Sequence, residues 1–296
     1  MRYIVCWHIR RPFVEIEGKM IVIMRSSTGA VPPVIYLFID GAYLDQLACE
    51  LGEPYFGEPL QLDYPRLGVG CKKTFYYDCL PAKKSTESEE AFADRREEKS
   101  GFFNYLRSLD SWHVNEGVGR WNKKRGSSQK EIDILIAVDM LTHAYRRNMD
   151  QIRFIAGDLD FRPLLEAAVG DGMHVTLWYG SQKTNVDLIY AADSKVAIDI
   201  YRLFDFCLPQ FRERCKLPSR STTLMELGSA NITEIASMDG ADVAWLEQFA
   251  SPPQHRLWAV GTDRGSRYVV YGDATVENLK KMHSIYHAPC TWRAAS

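Results

Sequence analysis

No cysteine pair in this 296-residue chain has C-x-x-C spacing: the seven cysteines, at 6, 49, 71, 79, 207, 215 and 290, are scattered and odd in number. That excludes a zinc ribbon and a disulfide framework, and predicts reduced thiols in a cytoplasmic protein. No apolar run approaches the ~20 residues needed to cross a bilayer, so no membrane partner is expected. A secretory pattern is also missing, since the short apolar run from Tyr3 to Ile9 holds His8 and stops at Arg10-Arg11. Net charge is nearly absent, at −2, so a charged partner has to be sought in local patches. No G-x-G-x-x-G follows the first strong strand; Asp40-Gly41-Ala42 stands there, which excludes a dinucleotide-binding turn. Ala42 also occupies the place where a haloacid-dehalogenase phosphatase needs its second Asp. There is no internal repeat.

What is present is a real core composition, 46% apolar, in a chain long enough for one main domain and a smaller one. The stretch Gln151 to Leu165, QIRFIAGDLDFRPLL, reads as a buried strand, a Gly stop, an acidic turn and a helix opened by Pro163. Asp158 and Asp160 then lie beyond the carboxyl end of a strand, where open parallel sheets bind ligands. A cap by Asp160 is the simpler reading of that turn. Val34 to Ile39 is a second buried strand, ending in Asp40, and helical spacing follows from Tyr43 to Leu51. Gly52 to Gly70 reads as a loop, Lys73 to Leu80 as a strand, and Lys83 to Lys99 as a charged loop running into a helix. Trp112 to Val118 is a third strand in the alternating series, and Ile132 to Arg147 is the clearest helix, with Asp133 in its first turn. Met173 to Tyr179 is a fifth strand, and Asn185 to Phe204 is expected to be mostly helical.

Strands alternating with helices predict βαβ units and a mainly parallel sheet with right-handed crossovers. That topology puts Asp40, Asp133, Asp158 and Asp160 on one edge, a convergence that capping alone does not explain. Asp139 lies roughly 240° round the helix from Asp133 and is a secondary candidate, or bonds to neighbouring groups. Clustered carboxylates repel, by about 4 kcal/mol at 4 Å and an effective dielectric of ~20. Such a cluster calls for a hard cation such as Mg²⁺ or Mn²⁺. The adjoining loop 120–130 is basic, with Arg120, Lys123, Lys124, Arg125 and Lys130 as candidate phosphate contacts.

The segments FIDGAYL at 38–44, KEIDILIAVDML at 130–141 and FIAGDLDFRPLLEAAVGDGMHVTLW at 154–178 resemble the NYN family of PIN-like ribonucleases. LIYAADSKVAID at 188–199 resembles the family's closing helical segment, so the likeness spans residues 34–206. The resemblance implies a PIN-like three-layer α/β/α sandwich with Asp40, Asp133, Asp158 and Asp160 as metal-binding acids. It further implies a Mg²⁺- or Mn²⁺-dependent endoribonuclease acting on single-stranded RNA, with Lys130 matching a family Lys. The family's usual Asn is replaced by Tyr43, which removes a polar group near the metal and keeps a non-catalytic RNA-binding module as the alternative.

The expected organisation is an N-terminal extension over 1–30, the nuclease domain over 31–206, a linker over 207–232 and a small C-terminal α+β unit over 233–296. In that last unit Asp242 to Phe249 reads as a short helix, Arg256 to Val260 and Arg267 to Tyr271 as a hairpin, and Ala274 to Tyr286 as a final helix. The unit is the expected place for a homo-oligomer or protein contact. Trp258, Tyr268 and Tyr271 are candidates for base stacking or core packing, whereas His283, His287 and Cys290 lack a fourth zinc ligand.

Overall fold

The structure, a computed structural model, describes residues 13–16, 19–22, 31–117, 127–223, 227, 231–260, 268–286 and 290–295, with side chains from 31 onward except 127–130. The chain divides into two units, Met1–Pro33 and Val34–Ser296. In the first, β1 (Phe13–Ile16) pairs antiparallel with β2 (Lys19–Val22).

The second unit begins with β3 (Ile35–Asp40), α1 (Gly41–Phe56), α2 (Tyr64–Leu67), β4 (Lys73–Cys79), α3 (Glu89–Arg107) and β5 (Trp112–Gly117). It continues through α4 (Ser127–Tyr145), β6 (Gln151–Ile155), α5 (Arg162–Gly170), β7 (His174–Gly180), α6 (Val186–Tyr190), β8 (Ser194–Ile198) and α7 (Ile200–Asp205). These six strands form one parallel sheet in the order β5-β4-β3-β6-β7-β8. Successive residues of β3 point to opposite faces. Leu37 and Ile39 join the core under α1 and α3, while Tyr36 and Phe38 join the core under α4 and α5. The result is the parallel sheet expected from the alternating pattern, set in the three-layer α/β/α sandwich that the resemblance implies. Strand order reverses between β3 and β6, so the crevice at their carboxyl ends is the topological switch point.

Beyond α7 come α8 (Pro209–Arg214), β9 (Ser219–Thr223), β10 (Ile232–Met238), β11 (Ala241–Gln248), β12 (His255–Val260), β13 (Tyr268–Asp273), α9 (Val276–Tyr286) and β14 (Thr291–Ala294). The strands make a second, antiparallel sheet in the order β14-β10-β11-β12-β13-β9. One of its faces buries Ala236, Ala244, Leu246, Leu257, Ala259 and Tyr271 with Leu279 and Met282 of α9, in a core continuous with Leu44, Leu47 and Leu51 of α1. The Ile200 amide donates to the Tyr286 hydroxyl at 2.8 Å, and Arg220 pairs with Asp199. The two sheets are thus joined through α1, α7 and α9.

Four expectations about secondary structure change. Residues 194–198 form a strand instead of helix. SKVAI alternates in burial, and β7 offers it an open edge, with the Asp193 carboxylate accepting the Val175 amide at 2.9 Å. Residues 209–223, read as irregular linker, contain α8 and the edge strand β9. Ala241–Gln248 is a strand, not a helix; Ala244 and Leu246 are buried between the less buried Val243, Trp245 and Glu247, a period of two. Finally, Gly52 to Gly70, read as a loop, holds the end of α1, which runs through Pro54 and stops at Gly57, whose φ of 77° suits glycine, and the short helix α2, opened by the Asp63 cap and Pro65.

Candidate acidic site

Parallel strands deliver their carboxyl ends to one edge, and Asp40 is the last residue of β3. Its side chain caps α1, with Oδ1 accepting the Tyr43 amide at 3.1 Å, yet the residue is only 5% exposed. Burial pushes its carboxyl up to about 7; the charges of Asp133, Asp78 and Asp158 push in the same direction, and the Tyr43 hydrogen bond opposes them. Among the described residues no cation pairs with Asp40.

Asp133 exerts the largest of those charge effects. It is the seventh residue of α4, because the helix starts at Ser127, and so it lies beyond the first turn, where the sequence alone places it. Asp158 is exposed and caps a short 3₁₀ turn, Leu159–Phe161, by accepting the Asp160 amide at 3.0 Å. The cap is therefore Asp158 and not Asp160. Asp160 is exposed in that turn and is not among the charges acting on Asp40. Asp139 bonds to neighbouring groups. It accepts the Tyr77 hydroxyl at 3.0 Å and the Asn115 amide at 3.1 Å, tying α4 to β4 and β5.

Asp78, at the end of β4, is an acid that the sequence reading misses. It is 8% exposed, and burial pushes its carboxyl up against the pull of Lys99. Lys99 of α3 lies 2.6 Å from Asp78 and 2.8 Å from Asp45, with its ammonium over the Phe102 and Phe103 rings. Asp78 therefore has its counter-ion in the protein. A signal for it exists in the sequence, since KTFYYDCL carries an acid near its carboxyl end, on the same edge as Asp40.

A cleft of about 630 Å³ opens beside Asp40 and Asp158, walled by α1 and by the loop after β7. Tyr43 lines it, and a Cβ on Gly157 would overlap the Tyr43 ring. The Tyr43 hydroxyl accepts the Gly180 amide at 2.6 Å and lies 3.4 Å from Thr184 Oγ1. Because the Thr184 hydroxyl donates to the Gly180 carbonyl at 3.0 Å, the Tyr43 proton is the one directed at Thr184. Lys183, on the same loop, reaches Glu50 at 2.8 Å. Gln182, which lines the cleft, donates to the Ile285 carbonyl and ties this loop to the end of α9.

Among the described residues no three His, Cys, Asp or Glu side chains converge closely enough to enclose a metal ion. The donors at this edge are all carboxylate oxygens, and the buried Asp40 charge is unrelieved. That combination fits a hydrated hard ion such as Mg²⁺, which takes one or two carboxylates and completes its shell with water and substrate. It does not fit a closed cage. Arg120, Lys123, Lys124 and Arg125, together with the Lys130 side chain, lie outside the described residues.

The C-terminal candidates resolve differently. Tyr271 is buried, and Trp258 meets Tyr268 edge to face at 5.9 Å. Cys290 Sγ lies 3.8 Å from His283 Nδ1, and His287 lies outside the described residues. Cys49, Cys71, Cys207, Cys215 and Cys290 are free thiols, and no described helix is long and apolar enough to cross a membrane.

Among solved structures, a protein of unknown function from Vibrio parahaemolyticus RIMD 2210633 is similar at 20% identity over 60% of this chain and 96% of its own, with a TM-score of 0.42. No curated protein matches. The profile of the NYN domain matches residues 35–199, from the first residue of β3 to the residue that caps α7. NYN domains have a PIN-like nuclease fold, are generally ribonucleases and usually use divalent metals. With that match over more than half of its length, the chain belongs to the NYN domain family.

Proposed function

We propose that this protein is a metal-dependent endoribonuclease that hydrolyses phosphodiester bonds of single-stranded RNA. The observation that carries the reading is Asp40: a buried carboxylate at the switch point, pressed by Asp133 and Asp158 and lacking a protein counter-ion among the described residues. A group so placed costs stability unless a cation joins it. Asp40, Asp133 and Asp158 are the residues that would hold Mg²⁺ or Mn²⁺, with Asp160 at the rim. The ion would lower the pKa of its water and steady the leaving oxygen. The protein's own share is positioning. The Tyr43 amide fixes the Asp40 carboxylate, the Asp160 amide fixes that of Asp158, and Tyr77 with Asn115 aligns α4 through Asp139. Lys99 keeps Asp78 from adding a second uncompensated charge. The basic loop, through Arg120, Lys123, Lys124, Arg125 and Lys130, is assigned to phosphate contact, and the preference for RNA rests on the family.

The second reading, a binding module without catalysis, is favoured by Tyr43, which stands in the family's Asn position. The two separate on incubating purified protein with a mixed RNA pool, with Mg²⁺ or Mn²⁺ and with chelator. The nuclease reading expects fragments only with metal. Binding without fragments under any metal leaves the module.

A further inference from the structure

We infer that the cleft beside Asp40 is a pocket for one unstacked nucleotide, with the Tyr43 ring as the wall on which its base stacks and Lys183 as the contact to an adjacent phosphate. The inference rests on the nuclease reading for the identity of the polymer, and goes beyond it in naming what the cleft holds.

Three observations carry it. The first is size: about 630 Å³ lies within the ~300–1,000 Å³ typical of small-ligand pockets. The second is the Tyr43 ring. A Cβ at residue 157 would overlap it, so Gly157 is what lets the ring lie over the end of β6. The hydroxyl accepts from the Gly180 amide and lies beside Thr184 Oγ1, which fixes the ring plane before any ligand arrives. The ring is half-buried and lines the cleft that also contains Asp40 and Asp158. A flat aromatic wall held in place is how proteins grip single-stranded bases without reading their sequence. The third is charge. Lys183 lines the same cleft with a side chain 71% exposed, paired among the described residues with Glu50 across the opening, and an arriving phosphate can take it over. Gln46, which donates to Glu50 at 2.8 Å, keeps that carboxylate satisfied once Lys183 leaves.

A base on Tyr43 with one phosphate toward Lys183 puts its other phosphate toward the acids. A paired base has both faces stacked and cannot enter, so the pocket itself selects single strands.

The test is equilibrium binding, in chelator, of RNA hexamers with 2-aminopurine at one position in turn, alongside a duplex of the same sequence. Wild-type protein is expected to quench one position strongly and to bind the duplex at least ~10-fold more weakly. Tyr43→Leu is expected to lose the quench and weaken binding ~10-fold, while Tyr43→Phe and Tyr43→Trp keep the quench. Lys183→Gln, at an exposed position that leaves the fold intact, is expected to reduce the slope of log K against log salt by ~0.7. Unchanged quench in Tyr43→Leu, no binding of single strands, equal binding of duplex, or an unchanged salt slope in Lys183→Gln would overturn the pocket. Cleavage assayed in parallel with metal keeps the two readings apart. Quench and salt slope as expected without cleavage remove only the nuclease. Cleavage with equal efficiency in wild type and Tyr43→Leu removes only the pocket.

Discussion

Asp40→Asn is expected to do two opposite things: to lower RNA cleavage by ~100-fold or more and to make the metal-free protein more stable. The first follows if Asp40 is a ligand of the ion. The second follows from its environment. Burial and three neighbouring acids raise its carboxyl to about 7, so the folded protein favours the protonated form. For a carboxylate raised above its unfolded value, the stabilising state is fully present below about pH 4 and is lost as pH rises through 7. Wild type in chelator should therefore be less stable at pH 8 than at pH 5 in this component, and the wild-type minus variant difference isolates it. Asn keeps the shape and still accepts the Tyr43 amide, so the gain at pH 8 should reach ~1–3 kcal/mol after solvent relaxation. The variant should also lose the stabilisation that Mg²⁺ or Mn²⁺ gives wild type, because a ligand stabilises only through affinity for the folded state. Four melts at pH 8, two proteins each with and without metal, check it. A variant that melts lower in chelator and still gains from metal would make Asp40 a structural cap alone.

Gly157→Ala is expected to cost ~1–3 kcal/mol and to reduce RNA binding, although it adds a single methyl group at a position with an ordinary backbone conformation. The methyl would take the space of the Tyr43 ring. The ring can move only by giving up the Gly180 amide, which is then left without its partner. The cause is specific, so it can be cancelled. In a Tyr43→Asn background, which returns the family's usual residue and removes the ring, the same Gly157→Ala change should cost less than ~0.5 kcal/mol. The double-mutant cycle then reports a coupling of ~1–2 kcal/mol. Equal costs in both backgrounds would show that the ring and the glycine are independent.

Asp40 and Asp158 are legible in the sequence because each follows a mainly apolar strand, and parallel topology sends such ends to one edge. The same topology points to Asp133 but misplaces it within α4, because the helix starts in the polar run Ser127 to Lys130, which carries no apolar periodicity. Strand-end topology and the family resemblance group Asp160 with Asp158; the fold adds that the two share one local turn, where the Asp158 side chain accepts the Asp160 amide. Asp78 is missed because it lies inside the run KTFYYDCL, followed by Cys79 and Leu80, whereas Asp40 closes its own run, and because its partner Lys99 lies on a different element. The replacement of Asn by Tyr43 reads as a loss near the metal; only the fold reveals its match with Gly157 and Gly180. In the C-terminal sheet, β9 has no buried residue and β11 buries only two of its eight, so neither carries a strong apolar alternation for sequence reading to find.

The central claim is that these acids serve hydrolysis by water at a phosphodiester. The most direct measurement is the chemistry of the ends produced from one labelled single-stranded RNA with Mg²⁺. Attack by water in line with the sugar 3′ oxygen leaves a 3′-hydroxyl and a 5′-phosphate, and those ends should vanish in chelator and in Asp40→Asn. Products ending in a 2′,3′-cyclic phosphate, which require attack by the neighbouring 2′-hydroxyl, would contradict it, as would fragments that persist in chelator and in Asp40→Asn.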